Sequence, residues 1–261
     1  MNPVIDLILK RKSVRAYEDR PISRDVHDLI LAAAMRAPTA GNMMLYSILE
    51  VHDQSMKERL VETCDNQPFI AEAPLVLVFL ADYQRWYDYF KFAGVEKHLL
   101  TGGAEMVRPA EGDLMLACCD ALIAAQTAVL AAESLGLGSC YIGDILENYE
   151  IHKEMFELPP FAIPIGMLCI GYPTEEERQR EQTRRFDPEF IVFQDHYRRL
   201  SGEDFEHMFR PADRGPDAPA ATGPDSAGVR VYRRKFSAGF SIEMRRSVRA
   251  MLQKWTTSAD V

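Results

Sequence analysis

The stretch from Leu114 to Ala132 is almost continuously apolar, broken only by Asp120, Gln126 and Thr127. A helix of that length is long enough to cross a bilayer. It is also what the middle of a large core or a subunit interface demands, because a helix apolar on nearly every side needs neighbours on nearly every side. The acid at position 120, the many small alanines and the adjacent Cys118 and Cys119 favour the second reading, and no other such stretch accompanies it. We therefore expect a buried helix and no membrane span. A chain of 261 residues, 47% of them hydrophobic and 26% charged, can supply the surrounding core in one domain or two.

Around that helix the pattern alternates. Val4, Ile5, Leu7, Ile8 and Leu9 predict a short helix over residues 3–12 that ends on a run of cations. Ser23 caps a second helix carrying Val26, Leu29, Ile30, Ala33 and Ala34 on one face, which stops near Ala37 ahead of Pro38. Strands are expected at residues 46–52, 75–81, 139–142 and 163–171, the second buried on both faces. Residues 55–65 and 174–182 read as helices and 101–111 as a polar loop, while Tyr83, Trp86, Tyr87, Tyr89, Phe90 and Phe92 form an aromatic cluster suited to core or lid packing. Gly136-Leu137-Gly138 ends the long helix. It lacks a third glycine and follows a helix, so it is not a dinucleotide fingerprint. Pro211, Pro216, Pro219 and Pro224 lie among Gly, Ala and Asp between Arg210 and Gly228, as in an extended arm. Helical spacing returns through Phe240, Met244, Val248, Met251, Leu252 and Trp255. Helices alternating with strands distant in sequence imply an α+β or mixed α/β fold.

Chemistry concentrates in two segments. Arg11-Lys12-Ser13-Val14-Arg15 sets three cations and a hydroxyl in five residues, with Ala16-Tyr17 next. Such a cluster suits phosphate oxygens, which arginine can bind bidentately. The second segment, Ala37-Pro38-Thr39-Ala40-Gly41-Asn42, can present polar groups to a flat ring. A solvated basic face or a nucleic-acid patch is the plainer account of the first. However, 39 Asp and Glu against 30 Lys and Arg give a net charge of −9, whereas polyphosphate binding needs a broad basic surface. One small phosphorylated ligand fits better. The six histidines stand singly, so no metal site is expected, and neither a nucleophile elbow nor a P-loop lysine occurs. Five cysteines, odd in number and without CxxC, indicate a reduced, cytoplasmic protein. The short apolar run at the N-terminus has no basic region before it and no cleavage site, so no signal peptide is expected.

Taken in order, Arg11 to Tyr17, Ala37 to Asn42, Gly136-Leu137-Gly138-Ser139-Cys140-Tyr141-Ile142-Gly143 and the Arg185 region resemble the FMN-dependent nitroreductase family over residues 3–200. The resemblance implies an α+β fold with a central mixed sheet wrapped by helices. It divides the chain into an FMN-binding domain over residues 1–205 and, over 206–261, an arm and C-terminal helix packing on the body or the partner subunit. It further implies a homodimer with FMN sites at the interface. In its ping-pong cycle NAD(P)H reduces the flavin, and nitroaromatics, quinones or similar small acceptors reoxidise it.

Carried over residue by residue, Arg11, Lys12, Ser13 and Arg15 would bind the phosphate, the ribityl chain and the pyrimidine edge. Arg185, beside Arg184, would complete the phosphate clamp. Pro38, Thr39, Ala40 and Asn42 would reach the flavin from the other subunit. Gln67, or its neighbour Asn66, would hydrogen-bond the ring edge, and Tyr141, Ile142 and Gly143 would lie against the ring. The family often has Ser at Thr39 or Ala40, Gln at Met44 and a cation at Thr183. Since the flavin carries the redox chemistry, no catalytic acid or base is expected. The alternatives are a narrower reaction at the same site (dehalogenation, dehydrogenation or flavin fragmentation) or a non-catalytic redox sensor.

Overall fold

Four strands, β1 (Tyr46–Glu50), β2 (Leu75–Asp82), β3 (Gly138–Ile142) and β4 (Ala162–Gly171), form one sheet in the order β1-β2-β4-β3. The computed structural model describes residues 2–100, 106–209 and 222–257. It divides the chain into two units, Met1–Glu181 with Glu243–Val261, and Gln182–Ile242. Among the described residues all strand pairs are antiparallel, and the parallel component of the expected mixed sheet is a bridge between Ser13 and Ser139. With the sheet in the first unit are α1 (Pro3–Lys10), α2 (Arg24–Met35), α3 (Gln54–Thr63), α4 (Phe69–Glu72), α5 (Gln84–Phe92), α6 (Val95–Leu100), α7 (Glu111–Ser134), α8 (Tyr149–Met155) and α9 (Glu175–Gln179). The second unit holds α10 (Gly202–Phe209) and α11 (Ala227–Val231), and α12 (Gly239–Thr257) belongs to the first unit from Glu243 onward.

Strand β2 is buried along its whole length, as its unbroken run of bulky apolar residues predicts. Its alternation sorts two core layers. Leu75, Leu77 and Phe79 join Ile30 and Ala34 of α2 and Ala121, Ala124, Ala125, Ala128 and Ala132 of α7. Val76, Val78 and Leu80 join Leu60, Ile70, Cys140 and Cys169 on the other face. Alanines on α7 let the helix approach the sheet closely, and Gly136 at φ +80 stops it. There Gly136 N donates to Glu133 O at 3.1 Å and Leu137 N to Ala132 O at 3.0 Å.

The expectation of burial on nearly every side of this helix holds for only part of it. Nine α7 residues are buried, but Met115, Leu116, Leu122 and Ile123 form a stripe that is 39–64% exposed. Helix α1 ends at Lys10 instead of Lys12, because Arg11 turns into extended backbone (φ −56, ψ 137) and the chain runs on to pair with β3. Residues 101–105 of the expected loop and 210–221 of the expected arm lie outside the described residues. The rest of that arm is not all extended, because Ser226 Oγ accepts from Val229 N at 3.3 Å and starts α11.

The last helix closes a third core cluster of the first unit. Met251 and Trp255 are buried with Tyr87, Leu114, Tyr149 and Phe161. Trp255 meets Phe161 edge-on at 5.4 Å and donates from Nε1 to Ala110 O at 3.0 Å. Arg246 grips Glu150 through two hydrogen bonds of 2.9 and 2.8 Å, and Tyr149 N donates to Ser247 Oγ at 3.0 Å.

Candidate functional site

The cationic segment lies along the edge of the sheet. Ser13 bridges Ser139, and Val14 N donates to Ser139 O at 2.9 Å. Tyr17 then pairs with Pro173, its hydroxyl donating to Val14 O at 2.9 Å and Cys169 O at 3.1 Å. Two glycines permit this closeness: a Cβ on Gly138 would lie 2.4 Å from Val14, and one on Gly171 would lie 2.7 Å from Tyr17. The first and third sequence motifs are thus brought edge to edge.

Each cation on this edge has a definite setting. Arg11 has Nε and Nη2 shielded from solvent and lies in the field of Glu133. Burial raises the Glu133 carboxyl, while Arg11 and a 3.4 Å hydrogen bond from Ser139 Oγ oppose the rise. Burial likewise pushes the Tyr141 phenol up to about 12, with Arg11 again opposing. Lys12 Nζ donates to Arg178 O at 2.9 Å and also to Arg180 O, so it closes the C-terminal end of α9. Arg180 donates to Ser13 O and pairs with Glu177 at 2.8 Å. Glu177 in turn accepts from Arg15 N at 3.2 Å, and the Arg15 guanidinium stands 6.0 Å over the Phe69 ring.

That places Arg15 near the turn carrying Gln67. Asp65 and Asn66 both take left-handed backbone (φ +57 and +51), which leaves Asn66 exposed and turns Gln67 inward. Gln67 Nε2 donates to Cys64 O at 2.9 Å and to Asp144 Oδ2 at 2.7 Å. Asp144 follows directly on Tyr141, Ile142 and Gly143, so Gln67 is tied to that segment; Asn66 is not part of it. Ile142 is buried, whereas Gly143 is exposed, and a Cβ there would meet nothing within 4 Å. The strand therefore ends on a bare, open backbone surface.

The second motif behaves differently from expectation. Thr39 donates its hydroxyl to Asp120, and Ala40 N donates to Asp120 Oδ1 at 3.0 Å. Leu45 N donates to Asp120 Oδ2 at 3.1 Å, and Thr39 Oγ1 accepts from Met44 N at 2.8 Å. These polar groups face inward because a carboxylate only 3% exposed in an apolar helix requires donors. Pro38, Gly41 and Asn42 stay exposed and are what the loop can offer a ring. Met44, strained at φ +50, is held by Thr39 and by Arg85, whose Nη1 donates to Met44 O at 3.0 Å. Arg184 and Arg185 lie in the second unit, both exposed, with Arg184 3.9 Å from Asp187.

Sequence reasoning did not single out Asp120, Asp144, Glu177 or Arg180. An acid inside the apolar run was the one available signal for Asp120; the charged residues of α9 are indistinguishable in sequence from a solvated helix face. A groove of about 1010 Å3 elsewhere on the first unit is lined by Arg20, His27, Glu50, His52 and Lys57 among others. It contains none of the expected residues; within it His27 Nε2 and His52 Nε2 both approach Glu50 Oε2, at 2.6 and 3.3 Å.

Comparison with known proteins bears on the family. The profile of the nitroreductase family matches residues 8–172. An FMN reductase [NAD(P)H] of Bacillus subtilis is 33% identical over 180 residues, 69% of this chain and 70% of that one. An oxygen-insensitive NADPH nitroreductase of Salmonella typhimurium is 31% identical over 200 residues, 77% of each chain. The solved structure of NfrA2 from B. megaterium superposes with a TM-score of 0.77 at 26% identity, covering 98% of both chains. This chain belongs to the nitroreductase family.

Proposed function

We propose that the protein is an NAD(P)H-dependent flavin oxidoreductase that binds FMN and passes electrons to nitroaromatics, quinones or similar small acceptors in a ping-pong cycle. The observation that carries this reading is the Ser13–Ser139 bridge, which sets the cationic segment beside the strand ending at the open Gly143. The donor set fits FMN. Guanidinium and ammonium groups of Arg11, Lys12 and Arg15 suit a phosphate dianion and an electron-rich ring edge, with Ser13 between them. Gln67 stands beside the segment Tyr141, Ile142 and Gly143, which lacks a side chain where a flat ring would lie. Arg185 belongs to the proposal on the family resemblance alone. Bound FMN would supply the two-electron chemistry, and these residues would hold it and favour the anionic reduced form.

A homodimer is part of the proposal. Helix α1 has no buried residue although Val4, Ile5, Ile8 and Leu9 are 45–61% exposed, and the α7 stripe is equally uncovered. Apolar surface of that kind marks an interface. It would let Pro38 and Asn42 of one subunit approach the flavin of the other, with Thr39 and Ala40 contributing through backbone and apolar atoms. All five cysteines are free, as in a reducing cytoplasm. The names of the relatives give no support to a specialised reaction or a sensor. The test is the visible spectrum of the purified protein, then NAD(P)H consumption with a nitroaromatic, a quinone or free flavin, and sedimentation for the dimer. Colourless protein that takes up no FMN at micromolar concentration would overturn the reading.

A further inference from the structure

A primary amide offers two N–H donors and one carbonyl acceptor. Gln67 spends both donors inside the protein, on Cys64 O at 2.9 Å and on Asp144 Oδ2 at 2.7 Å. The orientation follows from chemistry as well as geometry. Cys64 O is only an acceptor and the Asp144 carboxylate is only an acceptor, so turning the amide over would set oxygen against oxygen at both places. What Gln67 can turn toward a ligand is Oε1.

Behind Asp144 stands Glu147, which is 4% exposed. Burial, followed by the charges of Asp144, Asp65 and Glu243, pushes its carboxyl up to about 8. The acceptor role of Asp144 rests on geometry, since its Oδ2 receives the Gln67 Nε2–H at 2.7 Å. Glu147 N also donates to Asp144 O at 2.9 Å, so one short turn carries both acids.

We propose that Asp144 is a positioning residue that locks Gln67 as a hydrogen-bond acceptor, so that the ring edge recognised there must present an N–H and not a carbonyl. The inference rests on the flavin reading above. In FMN the matching group is the imide N–H of the pyrimidine edge, which lies between two carbonyl oxygens. An unlocked glutamine could satisfy either kind of group; a locked one selects the imide.

The experiment compares FMN with N3-methyl-FMN, which lacks that N–H, by titrating each into the full-length protein and following flavin fluorescence. Wild type should prefer FMN by about tenfold or more, the size expected when a hydrogen bond to a shielded acceptor is lost. Gln67→Ala measures how much of that preference is the methyl group's bulk. Asp144→Ala should bring the preference down to the Gln67→Ala value, and Asp144→Asn, whose Oδ1 can still accept, should restore it. If Asp144→Ala binds FMN and keeps the wild-type preference, the lock is refuted while the flavin reading stands. If wild type binds no FMN, the flavin reading falls and the inference with it. A second measurement needs no variant to fold. In 15N-labelled wild type both Gln67 Nε2 protons should exchange slowly with solvent, and fast exchange of both would overturn the lock.

Discussion

Replacing Asp120 with Ala removes one side chain and disconnects a whole loop. Its carboxylate, 3% exposed, accepts from the Thr39 hydroxyl, from Ala40 N at 3.0 Å and from Leu45 N at 3.1 Å. Leu45 is itself 1% exposed, so no water can replace the lost acceptor there. Each buried donor left unsatisfied costs about 1–3 kcal/mol, and a hydrogen bond to a charged group is worth about the same. Ala40 is half-buried and counts for less, which puts the total near 3–4 kcal/mol by the same reckoning. For a chain of this length each kcal/mol moves Tm by about 2–4 °C, so Asp120→Ala should melt roughly 6–16 °C below wild type. Asp120→Asn keeps one acceptor oxygen and should lose about half as much. Thermal melts by circular dichroism on protein of fixed concentration measure both. Once Asp120 is gone the Thr39 hydroxyl loses the acceptor for its proton and keeps only the bond it accepts from Met44 N, so Thr39→Ala should cost less in the Asp120→Ala background than alone. A variant melting within about 2 °C of wild type, or two strictly additive substitutions, would refute the argument.

Gly138→Ala forces a Cβ to within 2.4 Å of Val14 Cγ2 and 2.7 Å of Val14 Cβ; a β-branched side chain in extended backbone cannot swing aside. We expect a loss of about 1–3 kcal/mol with weakened FMN binding, and unchanged melting would count against the close approach. Glu147→Gln tests pH dependence. Because the folded carboxyl titrates near 8 instead of 4.5, the unfolded chain sheds a proton in that window which the fold retains, so wild-type stability falls as pH rises from 4.5 to about 8. The variant should match wild type near about pH 5 and exceed it near about pH 8.5; parallel Tm curves would contradict the assignment. Arg11→Ala should lower FMN affinity about tenfold or more by equilibrium titration. It also removes the stronger of the two cations acting on the half-buried Glu133, Lys12 being the other, so adding Glu133→Gln should recover melting temperature but not FMN affinity. Recovery of both would place Arg11 in folding alone.

Much of the fold was legible because its signals are local. The β2 run, the Ser23 cap, the Gly136 stop and the helical spacing from Phe240 to Trp255 each occupy one stretch of chain, and each element forms where its residues place it. Legibility fails where the deciding partner is remote. Thr39 reads as a donor to a ligand until Asp120, 81 positions away, accepts its hydrogen bond. Lys12 reads as a phosphate ligand, yet it also binds carbonyls at the end of α9, 166 positions on. The early end of α1 has the same origin, since its last residues lose helix to a strand pairing with Ser139 that periodicity cannot register.

The α7 stripe shows how one run of sequence can serve two surfaces. A uniformly apolar helix carries no amphipathic pattern, so its sequence cannot say which side meets the sheet and which side meets another molecule. Side-chain size carries that information instead. The residues buried on the sheet side are almost all alanine, while the larger Met115, Leu116, Leu122 and Ile123 point outward. Packing against β2 and α2 at close range excludes bulk, so the bulky apolar residues collect on the side left free. Asp120 lies between the buried positions Ala117 and Ala121 and ties residues 39–45 to this helix. In the proposed dimer, therefore, anything that shifts α7 at the interface also shifts the loop that would cross to the partner's flavin. An arginine at Leu122 should accordingly do more than separate the subunits in sedimentation. It should also weaken FMN binding, although Leu122 is none of the residues that would touch the cofactor, and a monomeric variant with wild-type FMN affinity would break that link.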